Sequence, residues 1–211
     1  MIDFNSYREK YLKTIPKDKG IRVLLIAESP PAQDEHIPKF FYYDEDDLRK
    51  VEKGSLFGVV MTELYPDEWK KYEWTGENVG KNKHIMLTRF SEDGFYLIDA
   101  TDEPLQGKER TEKRRKLRTE NESGKFVEKL TSLAERSYLS PNTEIYIISS
   151  LAYKIFYKSL VETHISSKGV DFILKENVSS KKIPLPFGKD NNNVVRFRSF
   201  IGYLRRKFKI G

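Results

Sequence analysis

The strongest constraint on the fold is a nearly continuous apolar run near the start of the chain, Ile21-Arg22-Val23-Leu24-Leu25-Ile26-Ala27. Branched residues dominate this run, and a strand with apolar residues on both sides has to be covered on both faces of its sheet. Burial on both faces is typical of parallel sheets, in which helices connect the strands and cover them. The run therefore predicts a central parallel strand.

Three further segments predict strands. Gly94–Ala100 and Glu144–Ser149 are apolar like the first run, whereas Lys182–Leu185 is weaker because its proline restricts pairing. Apolar residues recur at helical spacing between them, for example from Phe126 to Ala134. This alternation predicts an α/β fold, a three-layer α/β/α sandwich around a central four-stranded parallel sheet.

The length of 211 residues is that of one domain, so we expect a single domain over residues 1–211. Residues from about 31 to 90 are aromatic and charged without clear periodicity, and we interpret them as a helical and aromatic insertion. The chain ends in an amphipathic pattern that predicts a C-terminal helix. Its apolar positions step by three and four: Val194, Phe197, Ile201, Leu204 and Phe208.

The composition excludes several chemistries. Without cysteine the chain has no disulfide, no thiolate nucleophile, no cysteine zinc site and no cysteine-ligated iron–sulfur cluster. His36, His84 and His164 lack metal-ligand spacing, and no phosphate-binding loop or dinucleotide glycine fingerprint is present. We therefore expect neither a metal nor a cofactor. The absence of a signal peptide and of an apolar stretch that could span a bilayer predicts a cytoplasmic protein with no membrane partner. We also expect a monomer.

The formal charge of +6 is unevenly distributed. Residues 181–211 contain nine Lys or Arg against one acid, Asp190, whereas residues 44–47 form an acidic run. A polyanion such as DNA would meet the C-terminal face. The alternative is a solvated lysine-rich surface of the kind found on many proteins.

Ligands of open parallel sheets bind beyond the carboxyl ends of the strands. The predicted first strand is followed by Glu28, Ser29, Pro30 and Pro31, so we place the working site at the loop 27–31. The other predicted strand ends contribute Asp99, Ser149, Ser150 and the segment Pro186–Asn193.

These segments resemble, in order and spacing, the uracil-DNA glycosylase superfamily. Ala27-Glu28-Ser29-Pro30-Pro31 partly matches its Gly-Glu-Ala-Pro-Gly motif, and Tyr96-Leu97-Ile98-Asp99 matches the strand that ends at a base-reading residue. Ile147-Ile148-Ser149-Ser150-Leu151-Ala152 stands where a strand leads through Gly-Arg into a small-residue helix. Leu185-Pro186-Phe187-Gly188 occupies the place of the His-Pro-Ser motif. The resemblance implies a uracil-DNA-glycosylase-like fold.

The resemblance also implies a function, the hydrolysis of an N-glycosidic bond in DNA. That reaction passes through an oxocarbenium-like sugar, which a carboxylate stabilises, and Glu28 and Asp99 are the candidates. The flipped base would lie against the loop Ser29-Pro30-Pro31 and an aromatic ring, Phe40 or Phe41, although these rings are also natural core residues. The candidate phosphate-binding residues are Ser150, Lys189, Asn191, Asn192, Arg196 and Arg198.

Departures from the family pattern point away from uracil. Leu185 stands where the family has the histidine that stabilises the departing base. Asp99 replaces a base-reading asparagine, and an ionised aspartate accepts hydrogen bonds from an exocyclic amine but donates none to a carbonyl. The first hypothesis is thus a glycosylase for a damaged or non-uracil base. The second is an inactive module that binds nucleic acid or a base, and the third is a pocket protein that holds a small anionic metabolite at Asn191–Asn193.

Overall fold

The structure is a computed structural model that describes residues 3–31, 39–45, 48–102, 104, 111, 123–162, 164–167, 170–173, 177–186 and 191–211. Its helices are α1 (Phe4–Leu12), α2 (Leu56–Leu64), α3 (Pro66–Lys71), α4 (Asn78–Glu92), α5 (Ser123–Glu135), α6 (Ser150–Glu162) and α7 (Asn191–Lys207). Its strands are β1 (Val23–Ala27), β2 (Phe95–Asp99), β3 (Glu144–Ile147), β4 (His164–Ser167) and β5 (Val170–Ile173).

The central sheet is parallel and has the order β2-β1-β3. All five residues of β1 are buried, which confirms the prediction from its apolar run. In the register of the sheet Ala27 pairs with Asp99 and Ile26 with Ile147, so the carboxyl ends of the three strands lie side by side. The α/β class is therefore confirmed, with a sheet of three strands in the described part of the chain.

The predicted fourth strand at residues 182–185 is wrong, because these residues lie outside any strand. Pro184 has no N–H to donate to a ladder. A shorter contact occupies the edge of β3 instead, where Val178 forms one parallel bridge with Ile145. Strands β4 and β5 form a separate antiparallel hairpin, with β4 next to α5.

Local capping fixes where the helices begin. The Asp3 carboxylate accepts from the Asn5 amide at 2.9 Å and starts α1. The Ser55 hydroxyl accepts from the Gly58 amide at 3.0 Å and starts α2. Capping of this kind satisfies backbone donors that the first turn leaves free.

The segment interpreted as an insertion contains α2, α3 and most of α4. Its aromatic residues do not project from the fold. Phe40, Phe57 and Trp69 belong to a cluster of buried apolar residues that also includes Phe4 and Ile210. This segment is therefore packed into the same core as the sheet.

The C-terminal end of helix α7 packs against the start of the sheet. At its C-terminal end Lys207 donates to the Glu144 carboxylate at 2.7 Å, and Arg22 donates to the Phe208 carbonyl at 3.4 Å. Glu144 begins β3 and Arg22 precedes β1, so this end of α7 lies at the amino edge of the sheet. None of the helices in the described ranges has both the length and the apolar character that a bilayer crossing requires.

Candidate functional site

Glu28 lies where the three strand ends converge. Its main-chain carbonyl accepts from the Thr101 amide at 3.2 Å, which extends the pairing of β1 with β2 by one step. Its carboxylate oxygen Oε2 accepts from the Ser149 hydroxyl at 3.1 Å. Ser149 is buried, and its oxygen also accepts from the Ala152 amide at 3.2 Å, which caps α6. The side chain of Glu28 is half-buried and is held from the end of β3, whereas its main chain is held from the end of β2.

Asp99 is the second predicted carboxylate at this edge, and it is buried in an ion pair. Its Oδ2 lies 2.5 Å from Arg8 Nη2, and the two side chains are 5% and 4% exposed. Arg8 also donates to Asn5 Oδ1 at 2.6 Å, and its guanidinium lies 5.1 Å from the centre of the Phe40 ring. A planar guanidinium suits such a site because it pairs with a carboxylate and stacks on a ring.

A second cation joins this pair. Lys129 of α5 donates to Asp102 Oδ1 at 2.6 Å and to the Asp99 carbonyl at 3.3 Å, and Arg8 Nη1 lies 3.8 Å from Asp102. Burial raises the pKa of Asp99, while Arg8 and Lys129 oppose that rise. Burial also lowers the pKa of Lys129. The Asp99 carboxylate is thus buried and ion-paired, whereas the Glu28 carboxylate is half-exposed and accepts from Ser149.

The sequence prediction missed Arg8 and Lys129. Arg8 carried a signal, because it lies four residues after Phe4 and four before Leu12, on the apolar stripe of α1. A cation on such a stripe either extends to solvent or pairs inside the protein. The structure shows that Arg8 pairs inside, with Asp99.

The residues predicted to hold a base fall into two groups. Ser29 and Pro31 are half-buried beside Glu28, and Pro30 is buried. Phe40 and Phe41 are 1% and 3% exposed and are covered by other rings, such as Phe4 at 4.7 Å from Phe40. These two rings are core residues, in agreement with the alternative interpretation of them.

The residues predicted to hold phosphate are spread over two helices. Ser150 is exposed at the start of α6, and Asn192 and Arg196 are exposed on α7. Arg198 donates to Glu63 of α2 at 2.9 Å. Lys189 and the side chain of Asn191 lie outside the described residues. The most C-terminal basic residues, including Lys207, are at the opposite edge of the sheet from Glu28.

A buried polar cluster centred on Asp44 contacts the C-terminal half of α1. The Asp44 side chain is 2% exposed and accepts from Lys10 at 2.7 Å and from the Tyr11 hydroxyl. His84 Nδ1 is 3.0 Å from that hydroxyl. The sequence shows Asp44 as the start of an acidic run, and charge alone does not distinguish an internal partner from a surface acid.

The chain matches no protein-family model, no curated protein and no solved structure to which it was compared. Within the described ranges, no three His, Cys, Asp or Glu side chains are grouped so that they could hold a metal ion.

Proposed function

We propose that the carboxyl edge of the sheet binds a nucleobase of DNA and that the protein hydrolyses the N-glycosidic bond of a damaged or non-uracil base. The observation that carries the proposal is the exposure and orientation of the Glu28 carboxylate. Its carboxylate is half-exposed at a strand end and is oriented by the Ser149 hydroxyl at 3.1 Å. The proposal is consistent with the resemblance to the uracil-DNA glycosylase superfamily.

Glu28 has the chemistry that this reaction needs. As the C–N bond breaks, positive charge develops on the sugar, and a fixed carboxylate stabilises it or accepts a proton from the attacking water. The hydrogen bond from Ser149 to Oε2 restricts the rotation of the group. Preorganisation of this kind is worth more than the same charge on a mobile side chain.

Asp99 has a different role in the proposal. Its Oδ2 is engaged by Arg8, so using it as a base would require breaking a buried ion pair. We assign it a positioning role, since the Arg8–Asp99 pair joins α1 to the end of β2, and Asp99 is paired in register with Ala27, the residue before Glu28.

A second candidate function is base or nucleic-acid binding without chemistry. Two observations favour it: the engagement of Asp99 by Arg8, and Leu185 where the family has a histidine that stabilises the departing base. A pocket that lacks this donor still binds a base through its shape and its Glu28 carboxylate.

The test is single-turnover cleavage of end-labelled DNAs that carry uracil, hypoxanthine, xanthine, hydroxymethyluracil or normal bases. We expect an abasic product on at least one damaged base and a loss of about 100- to 10,000-fold in Glu28→Gln, the range for a lost acid–base group. Glu135→Gln, which alters an exposed carboxylate at the end of α5, is the matched control and should cleave at the wild-type rate.

Two results would contradict parts of the proposal. Cleavage that survives in Glu28→Gln would remove Glu28 from the chemistry. An absence of product on every substrate, with salt-sensitive DNA binding retained, would establish the binding module instead.

A further inference from the structure

Lys83 of α4 is a buried amine on the floor of a small cavity. The residue is 1% exposed, and its Nζ donates to the Phe40 carbonyl at 2.9 Å and lies 4.9 Å from the centre of the Phe57 ring. The cavity has a volume of about 80 Å³, and Lys39, Lys50, Glu52 and Ser55 also line it. Lys39 and Glu52 are exposed, so the cavity has a mouth toward solvent and Lys83 lies at its closed end.

The hydrogen bonding of Lys83 is incomplete. An ammonium group has three donors, and in the part of the chain that the structure describes Nζ makes one hydrogen bond, to Phe40. No carboxylate of the described residues lies within salt-bridge distance of it; Asp44, the acid that attracts it, is bound to Lys10 and Tyr11. Among the described residues, two of its donors have no hydrogen-bond acceptor, so they can bind a group inside the cavity.

The charge around the cavity favours an anion. Lys39, Lys50 and Lys83 face one acid, Glu52, among the lining residues. The first turn of α2, which begins after Ser55, adds the positive end of its dipole. A cavity of about 80 Å³ has room for about five water-sized groups, the size of a tetrahedral oxyanion.

We propose that this cavity is a binding site for a small oxyanion of the phosphate or sulfate class, with Lys83 as its buried cation. The site is separate from Glu28, because Lys83 and its cavity lie among α2, α4 and residues 39–55. The bound anion pairs with the buried amine and occupies its unused donors, whereas Lys39 and Lys50 at the mouth attract it from solvent.

The protonation of Lys83 makes this binding dependent on pH. Burial lowers the pKa of Lys83 to about 7, and the attraction of Asp44 opposes that effect. The charged groups that face the cavity are Lys39, Lys50 and Glu52. The anion binds the protonated form of Lys83, so its affinity falls as the pH rises above 7. At higher pH the amine is neutral in the free protein and takes up a proton when the anion binds.

The first experiment is calorimetric titration of the full chain with sodium sulfate, with chloride holding the ionic strength constant. Sulfate keeps its charge over the pH range used. With a pKa of about 7 for Lys83, its affinity should fall on the order of 100-fold between pH 6.5 and pH 9. Near pH 9, buffers of different ionisation enthalpy should report uptake of about one proton per sulfate.

Lys83→Met keeps the length and apolar stem of the side chain and should abolish the binding. Lys53→Met alters an exposed lysine that does not line the cavity and should bind sulfate like the wild type. A second measurement uses the wild type alone: the NMR titration of the Lys83 Cε resonance should shift to higher pH when sulfate is present. Sulfate binding that is unchanged in Lys83→Met, that does not depend on pH, or that leaves this titration unmoved would overturn the proposal.

Discussion

Asp99 and Lys83 are both buried ionisable residues, but they differ in the charge of their nearest partner. Asp99 lies 2.5 Å from Arg8 Nη2 and has Lys129 nearby, so opposite charge surrounds it. Lys83 is as deeply buried, yet its partner is the neutral carbonyl of Phe40. Burial shifts both pKa values toward the neutral form, which raises that of Asp99 and lowers that of Lys83.

This difference predicts how each residue affects stability. A paired carboxylate such as Asp99 is costly to disturb from either side, because removing one partner leaves the other charge buried and unpaired. An amine without an ion pair lowers stability as long as it is protonated, so replacing it with an apolar group relieves that cost. Opposite effects on stability are therefore expected at the two places.

The largest effect is expected for Arg8→Met. This change leaves Asp99 buried beside Asp102 with Lys129 as the remaining cation, and we expect a loss of about 3–5 kcal/mol in the free energy of unfolding. Urea denaturation measures it. The double variant Arg8→Met/Asp99→Asn should recover part of the loss, because the uncompensated charge is gone. A loss under about 1 kcal/mol in the single variant would mean that the pair is not buried in solution.

A gain in stability is expected for Lys83→Met. Apolar replacement of a buried, poorly compensated charge should raise the free energy of unfolding by about 1–4 kcal/mol at pH 6. The methionine fills nearly the same volume, so no large cavity is left. Chemical denaturation measures the gain. The exposed-site variant Lys53→Met also loses a positive charge, so comparing the two variants separates the effect of removing a buried amine from that of changing the net charge.

The same variant tests the pH dependence of stability. The pKa of Lys83 is about 7 in the folded protein and near its ordinary value of 10.5 when unfolded. Between these two values the unfolded chain binds more protons, so the free energy of unfolding contributed by Lys83 rises with pH across that window and is flat outside it. The Lys83 contribution should be missing from the profile of Lys83→Met. Profiles with equal slopes from pH 7 to 10 would place the amine in solvent.

The smallest effect is expected for Ser149→Ala. The substitution removes the cap on the Ala152 amide and the donor to Glu28, and we expect a loss of about 1 kcal/mol. Thermal unfolding detects a change of this size. Ser150→Ala, next to it and exposed, should be close to neutral, and equal losses in the two variants would argue against the capping role of Ser149.

The sheet could be predicted from the sequence because its signals are local. The run Ile21–Ala27 contains β1, and the segments predicted around Leu97 and Ile145 contain β2 and β3. Because strand ends meet at one edge of a parallel sheet, the proximity of Glu28, Asp99 and Ser149 followed as well. The prediction of a fourth strand was wrong because Pro184 has no backbone N–H to donate, and this outweighed the apolar character of the segment.

The buried cations could not be predicted in the same way. Lys83 lies on the stripe of α4 that includes Val79, Met86, Leu87 and Phe90, just as Arg8 lies on the stripe of α1. Long cationic side chains commonly leave such stripes and reach water with their charged end. Whether they do so depends on what packs above them, and for Lys83 that is the carbonyl of Phe40, 43 residues away in the chain.

If the proposed DNA binding uses both edges of the sheet, the length of the strands sets a minimum size for the duplex. Lys207 binds Glu144, which is paired in register with Val23 at the amino edge. Five strand residues further along lies Glu28, roughly 17 Å away at the usual rise per residue. That distance exceeds the screening length of about 10 Å at 0.1 M salt and equals about five base-pair steps. Oligonucleotides shorter than this would contact one end of the protein at a time.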